Sequence, residues 1–364
     1  MASWEELKAL EEELRNTKYN KRTEHAIGLL KAKIARIRKE LEKTKQSEGK
    51  FGFSIKKTGD ATAVLLGFPS VGKSTLLNKI TNANSRVGDY EFTTLNCVPG
   101  ILEYNNAKIQ IIDLPGIIEG ASYGAGRGRE VLSIIRNSDL IIVVVDSKRT
   151  EQIETILKEL REAGIIVNKK KPDIRITKKS YGGISIATTV PLSINKKTIE
   201  DVLKELKITN ADILIRENVD VEDIIDAVYA NRVYIPMIVV INKIDLLSQD
   251  EINSEQFKEF VNKYDALLIS AEKNINLDLL KNKIFEKTNL IRVYLKKQGQ
   301  KPDLKEPIII KSGSTIRELC IKIHSNFVER FRFARVWGST KFPGQKVGLD
   351  YILKDKDIVQ LHLK

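Results

Sequence analysis

Cysteine is nearly absent from this 364-residue chain: Cys97 and Cys320 are the only two, and they lie far apart in sequence. Neither belongs to a metal-ligand spacing, which excludes a disulfide framework or a zinc ribbon and points to two ordinary thiols in a reducing cytoplasm. No run of about 18 apolar residues occurs, so no membrane-spanning helix is expected. The start, MASWEELKALEEELR, is acidic and amphipathic, whereas a secretory signal needs a basic start and an apolar block. Residues 1 to about 48 hold no proline, and no internal repeat or low-complexity tract is evident. Negative charge is in deficit. Lys and Arg total 61 against 48 Asp and Glu, a net charge of +13. Such an excess favours a polyanionic partner, most commonly nucleic acid or a ribonucleoprotein. The remaining composition, 42% hydrophobic and 30% charged, suits a soluble globular protein. A chain of this length calls for roughly two or three domains.

The proline-free start reads as helix. Leu7, Leu10 and Leu14 share one spacing, and Ile27, Leu30, Ile34, Ile37 and Leu41 repeat it after a polar break, which predicts a helical hairpin over 1–50. From Ala61 the pattern changes to short apolar runs alternating with helical segments: ATAVLLG, KIQIIDLPG, LIIVVVD, PMIVVINKID and DALLISAE. Continuous Val/Ile/Leu runs of this kind predict an α/β fold with a doubly wound, mostly parallel sheet, over 60–166 and 235–289. About ninety residues separate the strand ending near Asp146 from the one starting near Met237, where a crossover needs roughly thirty. A small α+β insertion is therefore expected at 167–234. Residues 290–364 read as strand, strand, helix, strand and strand, a compact α+β domain around one helix.

The stretch GFPSVGKST fits G-x-x-x-x-G-K-[ST] and lies between a predicted strand and a predicted helix, the context that a phosphate-binding loop requires. Gly67 and Gly72 let the backbone turn tightly past Pro69, which has no N–H of its own, so that N–H groups of Phe68, Ser70, Val71 and Thr75 face phosphate oxygens. Lys73 is expected on the β- and γ-phosphates as a point charge, and Ser74 offers a hydroxyl to Mg²⁺. Asp113 ends the next buried run, where a carboxylate needs a cation to address. The Mg²⁺ shell is the evident one. Leu114 and Pro115 follow, and Gly116 would bring a backbone N–H to the γ-phosphate. In INKID, the carboxylate of Asp245 can accept both adjacent donors of guanine, N1–H and N2–H₂, which adenine lacks. A buried acceptor of that kind rejects the wrong base by a factor on the order of 10⁴. Asn242 is expected on the base edge and Lys243 along the ring. Ser270, Ala271 and Glu272, after the next strand, would set a backbone N–H near the guanine O6.

GFPSVGKS, YEFTTL, DLPGIIEGASYGAGRGRE and NKID together resemble the Obg superfamily of translation GTPases and, within it, the developmentally regulated GTP-binding protein family. The resemblance covers essentially the whole chain. It implies a P-loop NTPase G domain and a C-terminal domain similar to TGS, a ubiquitin-like β-grasp. It also implies GTP hydrolysis to GDP with Mg²⁺, a role at ribosomes and, in eukaryotic relatives, a dedicated stabilising protein partner. A competing reading is a ribosome- or RNA-binding assembly factor in which GTP is mainly a structural ligand. An ATPase is disfavoured by Asp245.

The first switch is expected around Phe92, where Thr93 or Thr94 would complete the Mg²⁺ shell. The resemblance favours Thr94. After DLPG stands Ile117, where many GTPases carry a Gln that positions the attacking water, so positioning must come from elsewhere. Relatives with an apolar residue there are slow alone, and some use K⁺ with an Asn in the phosphate loop, where this chain has Ser70. Slow intrinsic turnover, accelerated by K⁺ or a partner, is the expectation. Gly120, Gly124, Gly126 and Gly128 predict a flexible second switch, with Arg127 and Arg129 free for a phosphate or partner. Two segments suit RNA. Lys169, Lys170, Lys171, Arg175, Lys178 and Lys179 crowd the start of the insertion. Phe327, Phe331, Phe333, Trp337 and Phe342 interleave with Arg330, Arg332, Arg335, Lys341 and Lys346 near the C-terminus.

Overall fold

A computed structural model describes residues 4–18, 20–45, 58–81, 98–114, 126–229 and 232–364. The chain forms two compact units, one from 1–52 with 169–234 and the other from 53–168 with 235–364.

The second unit holds a six-stranded sheet. Its spatial order is Leu267–Leu268, Met237–Asn242, Leu140–Asp146, Ala61–Leu66, Ala107–Asp113 and Val98–Tyr104. All neighbouring pairs are parallel except the last, which is antiparallel. The central strands are buried along their whole length because helices cover both faces, so they read as unbroken apolar runs. Val98–Tyr104 was not among the strands expected from sequence; its Pro99 and Gly100 obscure it, and as an edge strand it tolerates both. The helix Gly126–Asn137 takes in Gly126, Arg127, Gly128 and Arg129, so this part of the glycine-rich segment is regular structure and not a loop. Burial of Val131, Ile134 and Ile135 holds the helix in place despite its glycines.

The C-terminal part of this unit is a five-stranded sheet in the order Ile308–Lys311, Leu290–Leu295, Ile358–Leu363, Phe331–Trp337 and Gln345–Val347, with the helix Ile316–Ile323 against one face. Its core includes Ile291, Val293, Leu319, Ala334, Val336 and Val359, and this arrangement is the β-grasp. Leu290 and Ile309 also belong to the core of the larger sheet. Lys311 pairs with Asp139 at 2.5 Å and Lys322 with Asp60 at 2.9 Å. Asp60 and Asp139 precede the strands Ala61–Leu66 and Leu140–Asp146, so the β-grasp domain meets the N-terminal ends of the parallel strands.

In the first unit the helices Trp4–Asn16 and Glu24–Lys45 pack on each other through Leu7, Leu10, Ile34 and Ile37. The second helix also packs on residues of 169–234. Ala32 joins the core of Ile199, Val202, Leu203 and Ile213, and ion pairs run from Lys31 to Glu222 and from Arg36 to Glu205. That core lies under a three-stranded sheet, Ile174–Lys178, Ala211–Ile215 and Ile184–Thr188, and the helices Lys196–Glu205 and Val221–Tyr229.

Candidate active site

The C-terminal ends of the parallel strands converge on one region, the place where open α/β sheets hold ligands. The loop after Ala61–Leu66 turns through three left-handed positions, Gly67 (φ 158°), Ser70 (φ 65°) and Gly72 (φ 91°), before the helix Lys73–Ile80. A Cβ on Gly67 would collide with the Val144 carbonyl, and one on Gly72 with the Asn242 amide, so both glycines are required by space as well as by φ. Within the loop Val71 is buried, whereas Pro69, Ser70, Ser74 and Thr75 are exposed and Phe68 packs against the core.

Lys73 is 9% exposed and its Nζ donates to the carbonyls of Gly67 at 2.9 Å and Phe68 at 3.1 Å. Burial pulls the pKa of this ammonium down, and the nearby Asp113 carboxylate opposes that shift. Ser74 Oγ donates to Asp113 Oδ2 at 2.6 Å. Asp113 Oδ1 is shielded and has no hydrogen-bond partner. A hydroxyl beside a carboxylate with an orphaned buried oxygen fits a hard divalent cation such as Mg²⁺, which uses one or two protein oxygens and takes the rest from water and phosphate. Among the described residues no group of three or more His, Cys, Asp or Glu could hold a metal.

On the neighbouring strand Asn242 is 2% exposed. Its Nδ2 donates to the Val71 carbonyl at 2.9 Å, and its Oδ1 accepts from the Ala271 N–H at 3.0 Å. The sequence reading placed Asn242 on the base edge. Instead both ends of its amide are bonded to backbone, so it ties the phosphate loop to the Ser270–Glu272 segment. Ser270 is fully buried and accepts from the Lys273 N–H at 3.0 Å, while Glu272 is exposed. Lys243 stands in the left-handed region (φ 65°); its Nζ reaches the Ser70 carbonyl at 2.7 Å and Asp146 Oδ2 at 2.8 Å. Ser147 Oγ donates to the Lys243 carbonyl at 3.0 Å. Burial alone would raise the Asp146 carboxyl, but the hydrogen bond from Lys243, the Lys148 amide and the charges of Lys243 and Arg149 hold it below the usual carboxylate range. Asp245 lies in the 3₁₀ turn Ile244–Leu246 and is exposed, not enclosed as the sequence reading had it.

Phe92, Thr93, Thr94, Pro115, Gly116 and Ile117 lie outside the described residues, as do Gly120, Gly124 and Cys97. Leu114 is buried and donates its N–H to the Leu65 carbonyl at 3.4 Å. Sequence reasoning missed Asp146 and Ser147. The signal was present, since Asp146 ends a buried strand in the manner of Asp113.

Phosphate loop, strand-end carboxylate and the Asn242–Asp245 segment at one end of a parallel sheet define the class: a P-loop GTPase. The family model described as a 50S ribosome-binding GTPase matches residues 62–179, the model for the C-terminal region of that domain matches 181–290, and the TGS domain model matches 291–363. A GTP-binding protein of Methanocaldococcus jannaschii is 51% identical over 364 residues, covering 99% of this chain and 93% of the relative. Developmentally-regulated GTP-binding protein 2 of Homo sapiens is 42% identical over 367 residues, covering 99% of each. GTP-binding protein 1 of Schizosaccharomyces pombe is 44% identical over 369 residues, covering 100% of each. The chain belongs to the developmentally regulated GTP-binding protein family, GTPases of the Obg type that carry a TGS domain.

Proposed function

We propose that this chain is a Mg²⁺-dependent GTPase that acts as a molecular switch on ribosomes, binding GTP and hydrolysing it to GDP and phosphate. The observation that carries the reading is the meeting of Lys73, Ser74 and Asp113 with the Asn242–Asp245 segment through the bonds of Asn242 and Lys243 to the phosphate loop. Gly67 to Thr75 surround the triphosphate and, Pro69 apart, offer it backbone N–H groups. Lys73 supplies a pre-placed, desolvated cation for charge that develops on the transferred phosphoryl group. Asp245 accepts the guanine donors, and Ser270 to Glu272 frame the base. Mg²⁺, held by Ser74 and Asp113 with Thr94, neutralises phosphate charge when bound. Gly116 senses the γ-phosphate and Ile117 positions no water, so intrinsic turnover is slow, well under about 1 s⁻¹, and K⁺ or a partner accelerates it.

The net charge of +13 supports ribosomal or other RNA as the partner, with a dedicated protein partner as a second contact and the cytoplasm as the location. We place the G domain at 60–166 and 235–289, the hairpin at 1–50, the insertion at 167–234 and the TGS-like domain at 290–364. Among the described residues no helix is long and apolar enough to cross a membrane.

The test is GTP turnover by the purified chain with and without ribosomes, in K⁺ and in Na⁺. Stimulation by ribosomes or K⁺ supports the switch. The rival reading, an assembly factor with GTP as a structural ligand, requires equal ribosome affinity with GTP and GDP, because a ligand that favours neither state shifts nothing.

A further inference from the structure

The β-grasp sheet has a second face, turned away from its helix, which the nucleotide chemistry does not use. Cross-strand registers set Phe333 opposite His362 and Arg335 opposite Gln360, out of phase with Ala334, Val336 and Val359 of the core. A groove of about 590 Å³ opens there, lined by Lys296, Lys301, Arg335, Trp337, Gln360, His362 and the intervening loop 298–302. That volume lies within the roughly 300–1,000 Å³ of small-ligand clefts, enough for a nucleotide. No carboxylate lines it. Among the described residues Lys296, Lys301 and Arg335 make no ion pair.

The rings are held ready. Trp337 rests on Gly344, where a Cβ would come within 3.0 Å of the indole, and Lys296 Nζ lies 4.5 Å from the ring centroid. Phe333 stacks on His362 at 4.3 Å and 17°, and Lys346 Nζ lies over the Phe333 ring, 4.8 Å from its centroid. His362 Nε2 is shielded and has no hydrogen-bond partner. Burial, together with Arg335, Lys346 and Arg332, holds the imidazole pKa below its usual value, so near neutrality it is an uncharged ring with a nitrogen left to bond. By contrast Phe327 and Phe331, expected from sequence to stack on bases, are partly buried and pack against the core, and Phe342 is 63% exposed outside the groove.

We propose that this groove binds an unpaired nucleotide of single-stranded RNA, with the base against Trp337 and His362, Gln360 on its edge, and the flanking phosphates on Lys296, Lys301 and Arg335. Aromatic rings take any base face, an amide side chain reads an edge, and unpaired cations neutralise phosphate. Duplex RNA hides its base faces and does not enter. The inference rests on the RNA-partner reading above and narrows it to one groove on the β-grasp sheet, lined by none of the nucleotide-site residues.

The chain has two tryptophans, Trp4 and Trp337, so Trp4→Phe leaves Trp337 as the sole indole reporter. The full-length Trp4→Phe protein is titrated with a short mixed-sequence single-stranded RNA, the same sequence as a duplex, a nucleoside monophosphate, and heparin. The expected result is quenching by the single strand at concentrations where the duplex and heparin give none. In a filter-binding assay Trp337→Ala weakens the single strand by about 5- to 150-fold and Trp337→Phe by much less. Arg335→Glu lowers the magnitude of the salt slope by roughly 0.7 or more. Arg335→Glu and His362→Ala, both on the sheet surface, leave GTP turnover without ribosomes unchanged, while Lys73→Ala removes turnover and leaves RNA binding intact. This separates failure of the groove from failure of the GTPase reading. Equal binding of duplex or heparin, or unchanged RNA affinity in Arg335→Glu and His362→Ala, overturns the proposal. Saturation by the monophosphate with equal affinity assigns the groove to free nucleotides and overturns the RNA assignment.

Discussion

At the scale of single residues, the site depends on side chains that need not touch the nucleotide. Asn242 satisfies a buried carbonyl of the phosphate loop and a buried amide of the Ser270–Glu272 segment at once. Asn242→Ala leaves both unpaired, which costs about 1–3 kcal/mol each at most. We expect a lower melting temperature and equal weakening of GTP and GDP, measured by thermal shift and calorimetry. Preferential loss of one nucleotide would contradict a positioning role. Asp146 acts through Lys243 in the same way. Asp146→Ala frees the lysine that spans to Ser70, and affinity for guanine nucleotides should fall about tenfold, roughly 1.4 kcal/mol, while ATP binding does not rise. An unchanged affinity would show that Lys243 holds its place unaided. That the phosphate-loop glycines, Lys73 and Ser74 stand between a strand and a helix, and that Asp113 ends a strand and Asp245 follows one, was legible in the sequence, because such spacing is local; the exposure of Asp245 was not. The bridging role of Asn242 was not, since it depends on loops distant in sequence meeting across the sheet.

Among the elements, the turn into the helix Lys73–Ile80 is the most constrained. Gly72→Ala adds a methyl group against Asn242 at a φ of 91°, a position that costs on the order of 1–3 kcal/mol for a side chain. Nucleotide binding should be lost while the β-grasp domain stays folded, as NMR of its methyl resonances would show. In the other unit, the helix Val221–Tyr229 buries Asp226, which faces Arg232 at 2.7 Å and Tyr234 at 3.2 Å, with Asp223 and Glu222 nearby. Burial, with the two neighbouring carboxylates, pushes the Asp226 carboxyl up to about 6 although Arg232 and the Tyr234 hydroxyl oppose this. The folded form therefore holds the proton more tightly than the unfolded chain. The stability this adds is complete below the unfolded value of 3.8 and is lost as pH rises through about 6. Unit melting should rise by a few degrees from about pH 7.5 to about pH 5, and Asp226→Asn should flatten the dependence. The buried strands and helices were readable from unbroken apolar runs and helical spacing. The edge strand Val98–Tyr104 and the strand Ala211–Ile215 were not, because one contains proline and glycine and the other is short and lies between two helices.

Across the whole molecule, the parallel sheet separates two chemistries within one unit. The phosphate loop lies at its C-terminal ends, and the β-grasp domain meets its N-terminal ends through Lys311–Asp139 and Lys322–Asp60. The net charge of +13 predicts that ribosome association weakens steeply with salt, which sedimentation across a salt series would measure; a flat response would rule out phosphate contacts as its basis. Charge and the C-terminal aromatics are what the sequence offers toward a polyanionic partner. The groove itself was hidden, since Lys296 just after Leu290–Leu295, Arg335 and Trp337 of Phe331–Trp337, and Gln360 and His362 of Ile358–Leu363 are brought together only by register.

The central claim is that the carboxylate of Asp245 selects guanine while the loop at Gly67 to Ser74 holds the phosphates. Calorimetric titration of the intact protein and of Asp245→Asn with GTP and with ATP, in Mg²⁺, tests it most directly. The account predicts that the intact protein takes up GTP in strong preference to ATP, and that the variant loses the preference while remaining folded. Equal uptake of the two nucleotides by the intact protein, or an undiminished preference in Asp245→Asn, would contradict it.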